Sequence, residues 1–324
     1  MPSTKPACIN AHFDYFFTVE SMDESYYENL KSCDLCPRHC HADRSAGKKG
    51  YCGLSSDIRA ARAALHFWEE PVLSGTDGSG AVFFSGCNLR CVFCQNYSIA
   101  IGENGKVITP ERLTGIYFEL REKGAHNINL VTGTPFIPQI AASIEAAKAK
   151  GFDLPFVFNC GGYENVRALK MLDGLVDIYL PDMKYYSSEI STKYSNAPDY
   201  FERAKEAIAE MFRQVGEPIL TSQLMKRGMI VRHMLLPGYT KDSKKILRYL
   251  HETYGNKIYI SIMNQYTPMD QITNGYPELT RKVTDDEYER VIDFAIKIGI
   301  EKAFIQEGDT AEESFIPAFD NEGL

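Results

Sequence analysis

The pattern of apolar and polar positions changes character along the chain. From about Val82 onward, short β-rich apolar runs alternate with longer amphipathic stretches, the rhythm of repeated βα units around a parallel sheet. The runs predict strands at Ala81–Ser85, Ile128–Thr132, Pro155–Asn159, Asp177–Leu180, Met229–Leu236 and Lys257–Met263, with Ala303–Gln306 as a seventh. Between them, helical spacing falls near Pro110–Lys123, Pro138–Lys150, Tyr163–Leu172, Tyr200–Val215, Ser243–Tyr254 and Asp285–Ile298. The last carries the fullest set of terminal signals: Thr284 and Glu287 form a capping box, Val283 and Tyr288 a hydrophobic staple, and Gly299 suits the C-terminal cap. Six or seven units fit an α/β fold built as an incomplete (β/α)6-type, TIM-like barrel, since a full eight-unit barrel takes about 250 residues. A doubly wound open sheet is the alternative. Both architectures gather chemistry on loops at the C-terminal ends of the strands.

Residues 1–75 lack this rhythm and read as a separate N-terminal Cys-rich lobe, residues 76–310 as the partial barrel, and residues 311–324 as a C-terminal tail. Between Lys31 and Arg62, seven Lys/Arg stand against three Asp/Glu, a basic excess that includes Arg38, Arg44, Arg59 and Arg62. The whole chain instead carries a formal charge of −8, which argues against general binding to nucleic acid. No apolar run approaches the roughly 20 residues of a membrane span. The opening MPSTKPACINAH has neither the charged start nor the apolar stretch of a secretory signal, so a cytoplasmic location is expected. In that reducing setting the nine cysteines read as metal ligands before disulfides.

The cysteines fall into groups. Cys87, Cys91 and Cys94 lie in SGCNLRCVFCQNY, spaced C-x3-C-x2-C directly after a predicted strand. Three thiolates on one loop can each ligate one iron of a [4Fe-4S] cubane and leave the fourth iron open to a bidentate ligand. Cys33, Cys36, Cys40 and Cys52 form a second group of four, enough to close either a structural zinc site or an auxiliary iron–sulfur cluster. His39 and His41 beside them read as neighbours of the metal or as solvent-exposed. Cys8 and Cys160 stand alone, and Cys160 reads as a buried apolar thiol. Trp68 in HFWEEP reads as packing, with Glu69 and Glu70 unassigned.

Taken with the aromatic Phe93 before the last cysteine, the motif resembles the signature of the radical S-adenosylmethionine (SAM) superfamily. Through CDLCPRHC, SGTDGSGAVFFSGCNLRCVFCQNY, DIYLPDMKY and VRHMLLPG the chain is similar to homologues of pyruvate formate-lyase activating enzyme, specifically a poorly characterised branch of them. Asp77-Gly78-Ser79-Gly80 stands where those activases carry D-G-P-G. The resemblance implies that Cys87, Cys91 and Cys94 hold the cluster and that SAM completes its open iron. Reductive cleavage then yields a 5′-deoxyadenosyl radical that abstracts hydrogen, with a flavodoxin- or ferredoxin-type protein as reductant.

The resemblance also nominates residues around SAM. Gly133 and Thr134 replace a Gly-Gly-Glu element, so its glutamate is missing. Asn159 begins a segment similar to the T-N-G region, and Asp182 and Lys184 match D-x-K, with strand alternation putting both on one side. Arg232 begins R-x-x-x-x-P-G, and Asn264 closes the sixth strand near the expected adenosine position. These readings point to an oxidoreductase of the glycyl-radical-activating type acting on a protein or peptide. The alternatives are radical modification of a small metabolite or RNA, and a non-catalytic iron–sulfur electron carrier.

Overall fold

The computed structural model describes residues 25–102, 104–269, 272, 275–306 and 317–324. Cys8 lies outside these residues. Ten strands make one sheet: β1 Ile58–His66, β2 Ser79–Phe84, β3 Lys106–Ile108, β4 Ile128–Val131, β5 Phe156–Cys160, β6 Ile178–Pro181, β7 Ile219–Thr221, β8 Leu224–Met234, β9 Tyr259–Met263 and β10 Ala303–Ile305. The helices are α1 Ser25–Lys31, α2 Pro71–Ser74, α3 Tyr97–Ala100, α4 Pro110–Glu122, α5 Ile137–Ala149, α6 Val166–Leu169, α7 Ser188–Ser195, α8 Tyr200–Val215, α9 Thr240–Tyr254 and α10 Asp285–Lys297.

The strand order is β10-β9-β8-β6-β5-β4-β2-β1-β3, with β7 paired to β8, so the sheet does not close on itself. The run from β2 through β4, β5, β6, β8 and β9 to β10 is parallel throughout. All seven predicted strands are present in this run. β5 shows why it is buried on both faces: Phe158 faces the helix layer, where Phe84 and Phe136 also pack, whereas Val157 faces inward with Leu73, Ile178 and Leu180. Parallel strands covered on both sides read as continuous apolar runs, which made them visible in the sequence.

Three features differ from the pattern-based reading. Ile58–His66 lies within the 1–75 stretch expected to form a separate lobe, yet β1 joins the main sheet antiparallel to β2 and carries β3 on its other edge. The final residues bond to the same strand: Ala63 N–H donates to Glu322 O, Asn321 N–H donates to Ala61 O, and Arg62 pairs with Asp320 and Glu322. The helix expected over Tyr163–Leu172 shortens to α6 and a 3-10 turn. Asn165 is held to the lobe instead, its N–H to Leu35 O at 3.3 Å and its amide to Asp34 O at 2.8 Å. At the other end of the chain, the Thr284–Glu287 capping box opens α10 as expected.

The HFWEEP segment is turned over relative to expectation. Trp68, read as packing, is 65% exposed, and the two glutamates after it go inward instead. Proline at the first turn of α2 and buried Leu73 set this direction, because Leu73 packs among the inward-facing Val157, Ile178 and Leu180. Glu69 and Glu70 thereby enter the space enclosed by the strands.

Candidate active site

The three-cysteine loop leaves β2 through Gly86, whose φ is +81° and where an added Cβ would lie 2.2 Å from Leu54 of the lobe. Only glycine permits both that backbone and that approach. Beyond it, Leu89 covers Gly161, where an added Cβ would lie 2.8 Å from Leu89 Cδ1. The loop is fixed from the other side by α7: Val92 N–H donates to Tyr194 O, and Ser195 Oγ donates to Cys91 Sγ at 2.9 Å. Phe93 is buried, enclosed edge-on by Tyr185, Tyr194 and Tyr266, a packing position that anchors the loop.

Cys91 is buried, and Cys87 and Cys94 are partly so. Burial, reinforced by the neighbouring Cys87 and Cys91, pushes the Cys94 thiol up to about 12, with Lys184 opposing. A thiol held that high gives up its proton when a metal cation replaces it. Among the described residues no three Cys, His, Asp or Glu side chains group closely enough to hold a single metal ion. A cubane makes a different demand, since it spreads its thiolates over separate irons. Three thiols fixed on one loop with a cation beside them fit such a cluster.

At the end of β6, Asp182 joins residues from several strands. Its Oδ2 accepts from Lys184 Nζ at 2.6 Å and its Oδ1 from Arg232 Nε at 3.0 Å, while Arg232 Nη2 donates to Asn159 Oδ1 at 2.6 Å. Glu69 completes the group, accepting from Asn129 at 2.9 Å and facing Arg232 Nη1 at 3.4 Å. Burial would raise Asp182, but Arg232 and then Lys184 outweigh it and hold the carboxyl below the usual range. Burial raises Glu69 and Glu70, so three carboxyls and two cations share one enclosed space.

The backbone beneath this group is stapled by one hydroxyl. Tyr200 OH accepts from Lys184 N–H at 2.9 Å and lies 2.8 Å from Gly161 O and 2.9 Å from Asp182 O. Gly162, with φ +75°, passes so close that a Cβ would stand 2.2 Å from Asp182 O. Asn159, Asp182, Lys184 and Arg232 thus come together as one unit. Asn264 follows β9, its N–H donating to Gln306 Oε1 at 2.7 Å, and the adjoining Gln265 O accepts from Gln95 next to Cys94 at 2.8 Å.

Gly133 and Thr134 follow β4, and Thr134 Oγ1 donates to Glu164 Oε1 at 2.9 Å. The sequence reading missed Glu164, which lies in the loop after β5 and is 1% exposed. Its other oxygen, Oε2, is buried without a hydrogen-bond partner among the described residues. Burial pushes its carboxyl up to about 7, against the hydrogen bond from Thr134. A signal was present in the spacing from Asn159-Cys160-Gly161-Gly162 to Glu164, but no linear motif links that glutamate to Thr134.

This carboxyl gives a pH-dependent prediction. Glu164 binds its proton more tightly folded than unfolded, so its ionisation costs stability as pH rises from about 4.5 to about 7. Once the carboxyl is fully ionised the penalty is on the order of 3 kcal/mol. Glu164→Gln is expected to gain stability relative to the parent protein by up to that amount between pH 4.5 and 8. Urea titrations across the range check it, and a difference independent of pH would contradict the assignment.

An open, mostly parallel α/β sheet bearing a three-thiol loop at the C-terminal end of β2 defines the class of protein. The chain belongs to the radical SAM superfamily, whose family model matches residues 81–250. Members of that family employ a [4Fe-4S] cluster and SAM. An uncharacterized protein of Methanocaldococcus jannaschii is 27% identical over 281 residues, spanning 84% of this chain and 76% of that protein.

Solved structures with similar folds include anSMEcpe with bound AdoMet, at 13% identity and a TM-score of 0.47, covering 66% of this chain and 57% of that one. The FeFe-hydrogenase maturase HydG from Carboxydothermus hydrogenoformans has 13% identity and a TM-score of 0.48, covering 70% and 53%. A domain of pyruvate-formate lyase-activating enzyme from Bacteroides vulgatus has 13% identity and a TM-score of 0.34, covering 61% and 91%. This chain therefore spans little more than half the length of the first two. No helix among the described residues is long and apolar enough to cross a membrane.

Proposed function

We propose that this protein is an activase-like radical SAM enzyme that abstracts hydrogen from a protein or peptide, with Cys87, Cys91 and Cys94 as cluster ligands. When bound, the cluster supplies the electron that cleaves SAM reductively to the hydrogen-abstracting 5′-deoxyadenosyl radical. The chain's own residues do the rest. Ser195 donates to Cys91 Sγ, and Leu89 closes the loop over Gly161. Lys184 adds positive charge beside the thiols, which favours an anionic cluster.

We assign the SAM ammonium to the Thr134–Glu164 pair. The missing glutamate of the β4 loop is then compensated by a carboxylate from the β5 loop, whose free Oε2 can accept from the ammonium. Asp182, Lys184, Arg232 and Asn159 supply charge and hydrogen bonds around SAM or the reacting segment, and the 264–266 turn lies beside the cluster loop.

The observation that carries the polypeptide reading is the open sheet. Among the described residues it ends at β10, where Ile305 is 47% exposed, and β10 is not paired to β3. An open side admits an extended backbone that a closed barrel of packed side chains excludes. To test this, reduced protein and SAM are mixed with size-fractionated lysate from cells grown in deuterated medium. Deuterium is expected in 5′-deoxyadenosine when the macromolecular, ribonuclease-treated fraction is supplied. Incorporation confined to the small-molecule fraction would overturn the substrate assignment, and absence of SAM cleavage in every fraction would favour an electron carrier.

A further inference from the structure

The hydrogen bond from Ser195 to Cys91 joins segments 104 positions apart in the chain. Cys87 accepts from the Leu89 N–H at 3.4 Å, a bond made inside the cluster loop by its own backbone. Ser195 is different. It is the last residue of α7, and it brings a side-chain hydroxyl to 2.9 Å from Cys91 Sγ. Cys91 is 6% exposed and Ser195 2%, so the bond is shielded from competing water and is stronger than it would be at the surface.

The direction of this bond follows from the groups behind it. Tyr185 is buried, and its OH lies 2.6 Å from Ser195 Oγ. A thiolate has no hydrogen to give, so Ser195 is the donor to a metal-bound Cys91, and its oxygen then accepts from Tyr185. The Tyr185 ring is held edge-on between Phe93 of the cluster loop, at 6.3 Å, and Tyr200, at 5.2 Å. Tyr185, Ser195 and Cys91 therefore form a relay that ends on a cluster ligand with both hydroxyl hydrogens committed.

The end of α7 is fixed from the Cys-rich lobe. Asn196 stops the helix in a left-handed conformation, with φ of +47°. The carbonyls freed there go to Arg38, whose Nη2 donates to Ser195 O at 2.7 Å and whose Nη1 donates to Asn196 O. Nε of the same side chain donates to Asn88 O, inside the cluster loop, at 2.7 Å. One guanidinium thus clamps the segment that carries the donor to the loop that carries the acceptor. In the lobe, Cys33, Cys36, Cys40 and Cys52 line one cavity of about 20 Å³ with Arg38, Asn88 and Pro135, so lobe, cluster loop and β4 loop meet there.

Hydrogen bonds to the sulfurs are one of the levers that set the reduction potential of an iron–sulfur cluster. An added electron makes the cluster more negative, so a donor aimed at a thiolate stabilises the reduced state more than the oxidised one. Resting on the reading of Cys87, Cys91 and Cys94 as cluster ligands, we infer that Ser195, oriented by Tyr185, is a positioning residue that raises the reduction potential of that cluster. The pair thereby eases uptake of the electron that SAM cleavage requires, through a contact supplied by α7 and not by the cysteine motif.

The test is a redox titration with dithionite of anaerobically reconstituted full-chain protein, followed by electron paramagnetic resonance. Ser195→Ala is expected to move the midpoint to more negative potential by about 59 mV, a roughly tenfold drop in the one-electron reduction equilibrium and the usual order for one hydrogen bond. Tyr185→Phe keeps the donor and removes its support, and is expected to move the midpoint the same way by less. Ser191→Ala lies on the same helix with its hydroxyl bonded to Ser188 O, and is expected to keep the parental midpoint. A parental midpoint in Ser195→Ala at parental iron content would overturn the inference and leave the ligand reading intact, and so would an equal shift in Ser191→Ala, which would make the effect one of helix damage. If Ser195→Ala loses its cluster, the Tyr185→Phe midpoint decides alone. A parent protein with no reducible cluster would overturn the ligand reading, and the inference with it.

Discussion

Alanine at Cys87, Cys91 or Cys94 is expected to reduce SAM cleavage to background in anaerobically reconstituted, reduced protein, read as 5′-deoxyadenosine and methionine by chromatography. Three protein ligands are the minimum that retains a cubane while leaving one iron for the chelate, so the loss of any one is not shared among the others. The fold does not depend on these side chains in the same way. The loop is held by Gly86 beneath Leu54, by Phe93 among three tyrosines, and by the Val92–Tyr194 main-chain bond. Unchanged circular dichroism with abolished turnover is therefore the anticipated pair of results. Continued turnover in the triple variant would refute the ligand assignment.

Asp182→Asn is expected to have the largest effect on stability. It removes the carboxylate shared by Lys184 and Arg232 and leaves two enclosed cations facing Asn159 and Glu69. Removing one partner of a buried ion group typically costs about 3–5 kcal/mol, because the remaining charge stays desolvated. The measurement is the urea midpoint at neutral pH. Adding Arg232→Met should recover part of the loss, since it removes one stranded cation with similar volume. The pH dependence has a definite sign. Asp182 is depressed when folded, so its contribution is complete above the unfolded value near 4 and disappears as pH falls through the lower folded value. The gap between parent and variant should therefore narrow on acidification, and a neutral-pH loss below about 1 kcal/mol would show that the group is solvated.

Elements governed by local pattern were legible in the chain. Tyr200–Val215 was bounded correctly because a single amphipathic face with Gly216 after it leaves little choice, and the capping signals of α10 operate within four residues. Asp182 and Lys184 were placed on one side by strand alternation alone, and they meet at 2.6 Å. The three-cysteine motif was equally local, since its spacing and its position after a strand carry the family resemblance that residues 81–250 bear out.

Other features depended on contacts between distant segments. β1 lacks an alternating pattern because Ala60, Ala61, Ala63 and Ala64 are all buried, and its place in the sheet comes from pairing with β2 and from the last residues of the chain. Glu69 became part of the charged group only because Leu73 packs inside the sheet and turns the segment inward. Glu164 meets Thr134 across 30 positions, and Arg44 meets Pro135 across 91. The sequence by itself determined the parallel βα framework, the cluster loop and the gathering of four further thiols, all of which follow from periodicity and short spacing. The tertiary structure alone decided which buried charges compensate one another and which loops share a cavity, because burial and Coulomb energy depend on distances that chain order does not encode.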